Sequence, residues 1–320
     1  MTSEPMVTAV VANWNGAKDL KDCLPTLLAQ SYRPLETIVV DNASTDDSAA
    51  VAQSFGVRWV GLKRNRGLAG ALNKGAEAAS GEFVLFLNND MRFHEKFVEC
   101  MVAAIAGDPG IFSVDALQYD WEGVNKVHLA TSLTRTGGER FDDPLVPGLF
   151  IRQRDHSTAT PVLMSSAANM LARKSMFREL GGFDERLPIG YEDVELCWRA
   201  WIRGWKSVFV PGAICWHRVG WAARSTEGAG IRYRGTVAGR LLTSAKLLPM
   251  NYTLKTWLST LAGLARDVLL LRGDRAMDRL RVLADCARYL PALWRERRAI
   301  YQSQSTTPRE QLNRLLHVPA

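Results

Sequence analysis

Apolar and polar positions follow two rhythms along the first hundred residues. Short runs rich in β-branched residues occur at 6–12, 35–40, 57–62 and 83–87, each too short for a helix and each ending at a turn signal. Between them apolar residues recur at three- and four-residue spacing. Leu20, Cys23, Leu24, Leu27 and Leu28 mark one amphipathic helix, and a second runs to Phe55 with Ser44 or Thr45 as its cap. A third spans 68–79, with Gly70 and Gly75 inside it. Strand–helix alternation with short connections predicts a parallel α/β sheet with helices on both faces.

The pattern then loosens. Residues 111–117 read as a further strand, and 124–154, with scattered Gly, Pro and charge, as loops and short strands over a site. Residues 167–180 read as partly helical. Breakers at Gly181-Gly182 and Pro188-Ile189-Gly190 predict a loop over 183–191. From Glu192 on, Val194, Trp198, Trp201 and Ile202 predict a helix. A short strand at 207–210, a turn at Pro211-Gly212 and an apolar run ending at His217 follow. Beyond residue 230 the spacing is helical. One stripe comprises Leu254, Trp257, Leu258, Leu261, Leu264, Ala265, Val268 and Leu269. Another comprises Met277, Leu280, Leu283, Ala284, Ala287 and Leu290, broken at Pro291.

Charge divides the chain. Residues 221–320 hold 17 Lys/Arg against 7 Asp/Glu, and the remainder 23 against 26. Two regions are expected, at 1–225 (halves of about 1–105 and 106–225) and a basic helical region at 226–320. The basic helices fit either packing on the first region or attachment to an anionic membrane surface. They lack any stacking platform or recognised module for nucleic acid. Five scattered cysteines without a CxxC pair suggest buried thiols in a reducing compartment. No signal peptide and no run of about 18 apolar residues is evident, so a cytoplasmic protein is expected. Oligomeric state is left open.

Three of the strands end in polar turns: Asn13/Asn15, Asp41/Asn42 and Asn88/Asn89/Asp90. In parallel α/β sheets ligands bind beyond the carboxyl ends of the strands. The GxGxxG and GxxxxGK[ST] phosphate loops are absent, so acidic strand ends beside a phosphorylated ligand suggest a divalent cation held by oxygen. A second polar concentration, Asp184, Glu185, Glu192, Asp193 and Glu195, straddles the start of the helix at 192. Acids in a first turn are also what an ordinary helix N-terminus favours. His217 at a strand end is either structural or a metal ligand with those acids.

The segments VTAVVANWNG, ETIVVDNASTDDS, NRGLAGALNKGAEAASGEFVLFLNND, LGGFDERLPIGYEDVELCWRA and VPGAICWHRVG, in that order over residues 6–220, resemble glycosyltransferase family 2. They look most like its rhamnosyltransferase-like branch, which builds bacterial surface polysaccharides. The resemblance implies a GT-A fold, a Rossmann-like and mainly parallel sheet with flanking helices, here followed by a C-terminal α-helical region. It implies a nucleoside-diphosphate sugar donor, a glycan or lipid-linked saccharide acceptor, and Mg²⁺ or Mn²⁺. Asp41 would contact base or ribose with Asn13 and Asn15 lining the pocket, and Asn73 would help shape the nucleotide site. Asn88-Asn89-Asp90 stands where the family has DxD, with Asp90 as the metal-binding member and His217 as a further ligand or diphosphate contact. Asp193 would be the catalytic base, with Glu192 orienting the acceptor or the loop. The family's processive QxxRW motif is missing, which favours transfer of a single sugar. Two alternatives stand beside an inverting transferase: a non-catalytic glycan-binding or scaffold member of the fold, and a nucleotidyltransferase sharing the sheet.

Overall fold

In the computed structural model of the chain, residues 4–139, 142–187, 190–218 and 226–318 are described; Pro188, Ile189, Val219 and Gly220 of the motifs above lie outside them. The alternation over the first hundred residues is realised as β1 (Val7–Asn13), α1 (Ala17–Leu28), β2 (Leu35–Asp41), α2 (Ser48–Ser54), β3 (Arg58–Gly61), α3 (Gly67–Ala78) and β4 (Phe83–Asn88). Next come β5 (Met91–Phe93), α4 (Phe97–Ala106), β6 (Ile111–Asp120) and β7 (Lys126–His128). The main sheet then gains β11 (Thr160–Val162), β12 (Asn169–Arg173) and β13 (Lys206–His217), with α5 (Lys174–Glu179) and α6 (Glu192–Ile202) between the last two. Its order is β11-β13-β6-β12-β4-β1-β2-β3, with β5 on β13 and β7 on β6. Strands β4, β1, β2 and β3 are mutually parallel, whereas β12 is antiparallel to both β4 and β6. A separate antiparallel sheet, β8 (Ala130–Thr134), β10 (Leu149–Arg154) and β9 (Asp143–Val146), occupies the stretch expected to hold loops and short strands.

The alternation of side chains along β1 sorts the two sides of the sheet. Val7, Ala9 and Val11 pack with Leu20, Leu24, Val51 and Phe97 of α1, α2 and α4. Val10 packs with Ala69, Leu72, Ala76, Leu196 and Cys197 of α3 and α6 on the other side. Helix α3 lies very close to β1 there. A Cβ at Gly75 would sit 2.1 Å from Val10 Cγ1, so only glycine admits this approach.

One expectation is made more specific and two are corrected. Residues 167–180 are helical only at their end, because Asn169–Ala172 is buried between β4 and β6, where sheet pairing overrides the helix propensity of Met, Leu and Ala. Pro211-Gly212 does not end a strand: β13 continues through it, with a register shift against β6 between Val210 and Ile214 that absorbs the extra residues as a bulge. Pro291 does not break its helix either. It lies inside α9 (Gly273–Ser303), where Cys286, Leu293 and Tyr301 on either side are buried in one cluster.

Helices α7 (Thr226–Leu247), α8 (Met250–Leu269), α9 and α10 (Pro308–Leu315) complete the chain. They share a core with α6: Val194, Trp198 and Ile202 pack with Leu241, Leu242, Leu283, Leu293 and Leu312, and with Leu145 and Leu149 of the second sheet. Helix α6 is therefore covered on the sheet side and on the outer side. A buried charge cluster crosses this boundary. Lys246 of α7 places Nζ 2.8 Å from Asp184 Oδ2 and 2.7 Å from Glu195 Oε1. Arg199 forms a bidentate pair with Glu195 at 2.7 Å, and Arg186 bridges Asp184 and Glu296 of α9.

Removing one member of a buried ion cluster leaves the opposite charges under-compensated, typically at a cost of about 3–5 kcal/mol. Arg186 and Arg199 remain beside the acids, so Lys246→Met is expected at the lower end, about 3 kcal/mol. Urea unfolding at neutral pH is the measurement, and a loss below about 1 kcal/mol would mean that the lysine is dispensable.

Candidate active site

The carboxyl ends of β1, β2 and β4 lie side by side, Asn13 opposite Asp41 and Ala12 opposite Asn88. Asn13 is the hub: its Nδ2 donates to Asp41 Oδ1 (3.0 Å) and Ser44 Oγ (3.3 Å), and its Oδ1 accepts from Asn89 Nδ2 (2.7 Å). Asp41 Oδ2 accepts the Ser44 amide at 2.9 Å. Asn15 takes a left-handed φ of 50°; its amide donates to Ser44 Oγ at 2.7 Å and its Oδ1 accepts the Thr45 amide at 2.8 Å. These bonds tie the turn after β1 to the turn after β2. Gly16 leaves room for Asn89, whose Nδ2 would lie 1.9 Å from any Cβ there. Asn42 does similar work one turn further, accepting the Arg66 amide and donating to Asn65 Oδ1 and Gly67 O.

Asn73 does something more specific than line a pocket. Its amide brackets the Phe183 backbone, accepting from Phe183 N and donating to Phe183 O at 2.9 Å each, and Nδ2 also reaches Glu185 Oε1 at 3.2 Å. Arg66 holds the same Glu185 with two bonds of 2.8 and 2.6 Å. Helix α3 thus anchors the 181–187 segment that leads to the acids of α6.

On the other side of β4, Asp90 Oδ1 stands 3.2 Å from His217 Nε2. Gln118 Oε1 lies 3.1 Å from His217 Nδ1, and because a carbonyl oxygen only accepts, that nitrogen carries the hydrogen. Nε2 faces the Asp90 carboxylate, so an imidazole nitrogen and a carboxylate oxygen lie side by side. Asp90 and His217 could hold a divalent ion as oxygen and nitrogen ligands. The described residues alone place no third His, Cys, Asp or Glu in this group. The Arg218 amide donates to Asp90 O at 2.9 Å, and its guanidinium pairs with Asp19 (2.7 Å) and Asp22 (2.6 Å) of α1.

The two acids at the start of α6 are buried, yet their surroundings differ. Glu192 folds back so that Oε2 accepts the Gly190 and Tyr191 amides at 2.7 and 3.0 Å. Burial, with Asp193 next to it, pushes its carboxyl up to about 7. Asp193 Oδ1 accepts the Val194 amide at 2.8 Å and Oδ2 the Ala167 amide at 3.3 Å, which leaves acceptor capacity on both oxygens. Burial raises its carboxyl too, and those amides and His128 oppose the rise.

His128 and Asp115 were not legible as site residues. Asp115 on β6 is fully buried, its Oδ2 2.7 Å from His128 Nε2 and its Oδ1 accepting the Ser166 amide at 3.1 Å. Burial works against a charged imidazole, but Asp115, helped by Asp193, outweighs it and holds His128 above its ordinary value. The consecutive amides of Ser166 and Ala167 therefore clip Asp115 and Asp193 to one turn, and the His128 imidazole interacts with both acids. A lone histidine before Leu129 and an aspartate in mid-strand carry no sequence signal that they meet.

The family model for Glycosyl transferase family 2 matches residues 8–181, more than half of the chain. The poly-beta-1,6-N-acetyl-D-glucosamine synthase of Staphylococcus aureus is 25% identical over 214 residues, 66% of this chain and 49% of that protein. The chain thus spans about half the length of that relative. The N-acetylglucosaminyl-diphospho-decaprenol L-rhamnosyltransferase of Mycobacterium tuberculosis is 27% identical over 232 residues, 66% of this chain and 76% of that one. Among solved structures, the Pyrobaculum calidifontis mannosyltransferase PcManGT, solved with GDP-Man and Mn²⁺, matches with a TM-score of 0.56 at 18% identity, covering 90% of this chain and 88% of that chain. Staphylococcus aureus TarS 1–349 matches with 0.54 at 16% identity, covering 97% and 91%. At such identities the likeness is one of fold: a mostly parallel sheet with flanking helices, as in GT-A proteins.

The raised Glu192 carboxyl gives a pH test. A group whose folded value is above its ordinary one, about 4.3 for glutamate, contributes stability that is complete below that value and fades as pH climbs through about 7. Glu192→Gln is neutral throughout and keeps an oxygen for the two amides. Relative to it, the wild type is expected to lose on the order of 2 kcal/mol between pH 5 and 8. Urea midpoints at four pH values measure this, and a difference that stays flat would show that Glu192 ionises as an ordinary carboxylate.

Proposed function

The chain belongs to glycosyl transferase family 2, and from that membership we propose that it transfers a single sugar, with inversion, from a nucleoside-diphosphate donor to a lipid-linked saccharide in surface polysaccharide synthesis. The observation that carries this reading is Asp193: a buried carboxylate at a loop–helix junction, held by two amides, with acceptor capacity to spare. Rhamnose is the sugar favoured, because the Mycobacterium relative is named for it and for a diphospho-decaprenol acceptor. A lipid-linked acceptor puts the reaction at the inner face of the cytoplasmic membrane.

In this reading the nucleoside sits over the network of Asn13, Asn15 and Asp41, with Asn89 fixing the floor from β4. The acceptor hydroxyl donates its proton to Asp193 while its oxygen bonds to the anomeric carbon. The bond from that carbon to the diphosphate oxygen breaks on the opposite face, and the electron pair leaves with the nucleoside diphosphate. Asp90 and His217 would hold a divalent cation, which when bound neutralises charge on the departing diphosphate. His128 and Asp115 keep Asp193 oriented through the Ser166–Ala167 turn, and His128 offsets part of the burial cost of its ionised, proton-accepting form. Glu192, with one oxygen engaged by the loop amides, positions the loop rather than the proton.

Loss of a general base costs about 10² to 10⁴ in rate. Asp193→Asn is therefore expected to lose that much turnover while retaining donor affinity, measured by thermal shift with a panel of sugar nucleotides. Glu192→Gln is expected to keep most activity. Near-normal turnover in Asp193→Asn would overturn the assignment.

The cation is tested separately. Excess EDTA is expected to abolish transfer, Mn²⁺ or Mg²⁺ to restore it, and Asp90→Ala to prevent restoration with the fold intact by circular dichroism. Full wild-type activity in EDTA would remove the metal from the proposal.

A further inference from the structure

Helix α8 is amphipathic in the wrong sense for a helix packed on a soluble protein. Its buried residues are Thr253, Thr256, Thr260 and Asp267. Its leucines face outward: Leu254, Leu258, Leu261 and Leu269 are exposed, as are Met250 and Val268. The inward threonines are satisfied locally. Thr253 Oγ1 donates to Ser244 O, Thr256 to Tyr252 O, and Thr260 to Thr256 O. Asp267 pairs with Arg279 of α9 at 3.0 and 3.1 Å, pinning the hairpin between α8 and α9. The apolar ridge continues over the hairpin tip, where Leu270 and Leu271 are 53% and 92% exposed, and onto α9 at Met277 and Leu280. Trp257, which the sequence placed on this stripe, is instead turned toward the core.

The charges around the ridge are of one sign. Lys255, Arg266, Arg272, Arg275 and Arg281 are exposed, whereas of the acids on residues 250–281 only Asp274 is; Asp267 is buried against Arg279 and Asp278 pairs with Arg234. A second copy seated on this ridge would bring those cations against their own kind. An anionic phospholipid surface offers apolar chains for the leucines and headgroup charge for the cations. No helix among the described residues is long and apolar enough to cross a membrane, so the contact is interfacial.

We propose that the outer face of α8 and the α8–α9 tip dock on an anionic bilayer, with Leu254, Leu258, Leu261 and Leu269–Leu271 entering the headgroup–acyl boundary. The proposal rests on the transferase reading only for its purpose, delivery of a lipid-linked acceptor. The full chain is floated with vesicles of phosphatidylcholine alone and of phosphatidylcholine with phosphatidylglycerol, at low and high salt. Flotation is expected with the anionic vesicles and is expected to weaken with salt. Leu254→Gln/Leu258→Gln/Leu261→Gln removes exposed side chains only and is expected to lower partitioning about a hundredfold or more. Arg266→Gln/Arg272→Gln/Arg275→Gln is expected to lower it by about a hundredfold, near fivefold per cation. Both variants are expected to keep the wild-type melting temperature and transfer to a water-soluble acceptor. Failure of a folded protein to float, equal binding to neutral vesicles, or a dimer dissolved by the leucine variant would each overturn the docking proposal. Flotation by a chain that transfers no sugar would instead leave docking intact and remove the transferase reading.

Discussion

Helix α6 buries three carboxylates in its first four residues, and few constraints in a fold are harder to meet. An ionised carboxylate without compensation is not tolerated in an apolar interior. Here each acid is answered from a different part of the chain: Glu192 by amides of its own loop, Asp193 by the Ala167 amide and the His128 imidazole, Glu195 by Arg199 and by Lys246 of α7. The sheet, the loop before α6 and the C-terminal helices must all be in place before α6 is electrostatically acceptable. The arrangement makes them one cooperative unit, although their charge and hydropathy patterns differ.

The compensation also reaches two adjacent acids from different sides. Neighbouring residues at the start of a helix point about 100° apart, so each meets its own surroundings. Glu192 Oε2 is occupied by two amides, and burial favours its neutral form. Burial raises the Asp193 carboxyl as well, but the Val194 and Ala167 amides and the His128 imidazole oppose the rise, whereas Glu192 has amides alone. The two acids are thus held by different partners, Glu192 by its own loop and Asp193 by the turn at Ser166–Ala167.

The parallel part of the sheet was legible because its strands are short, β-branched and separated by well-patterned helices. The polar strand ends were legible for the same reason: turns punctuated the pattern, and the structure brings Asn13, Asp41 and Asn89 into one network. Legibility failed where long-range packing decided the outcome. Strand β12 is built from good helix formers and is a strand only because β4 and β6 flank it. The contact of His128 with Asp115 crosses from β7 to β6, and nothing local in either segment signals it. The stripe on α8 was legible as a stripe, but its direction was not. Periodicity gives the angle between residues and leaves open which side faces the protein.

That direction matters because the same helices reach back to the site. Lys246 at the end of α7 lies within 3 Å of Asp184 and Glu195, and Thr253 at the start of α8 bonds Ser244, two residues before Lys246 on α7. Asp267–Arg279 then fixes α9 against α8, and Glu296 of α9 returns to Arg186 in the loop before α6. A closed circuit of buried or half-buried polar contacts thus runs from the acids of α6, out through α8 and back. Few of these links are free to slide, since an ion pair moved out of register in a low-dielectric setting leaves unpaired charge behind. The outward ridge of α8 is in consequence held at a set height and angle relative to Asp193. For an enzyme acting on a headgroup at a bilayer surface, that fixed height would decide how far from the membrane the reacting hydroxyl can be.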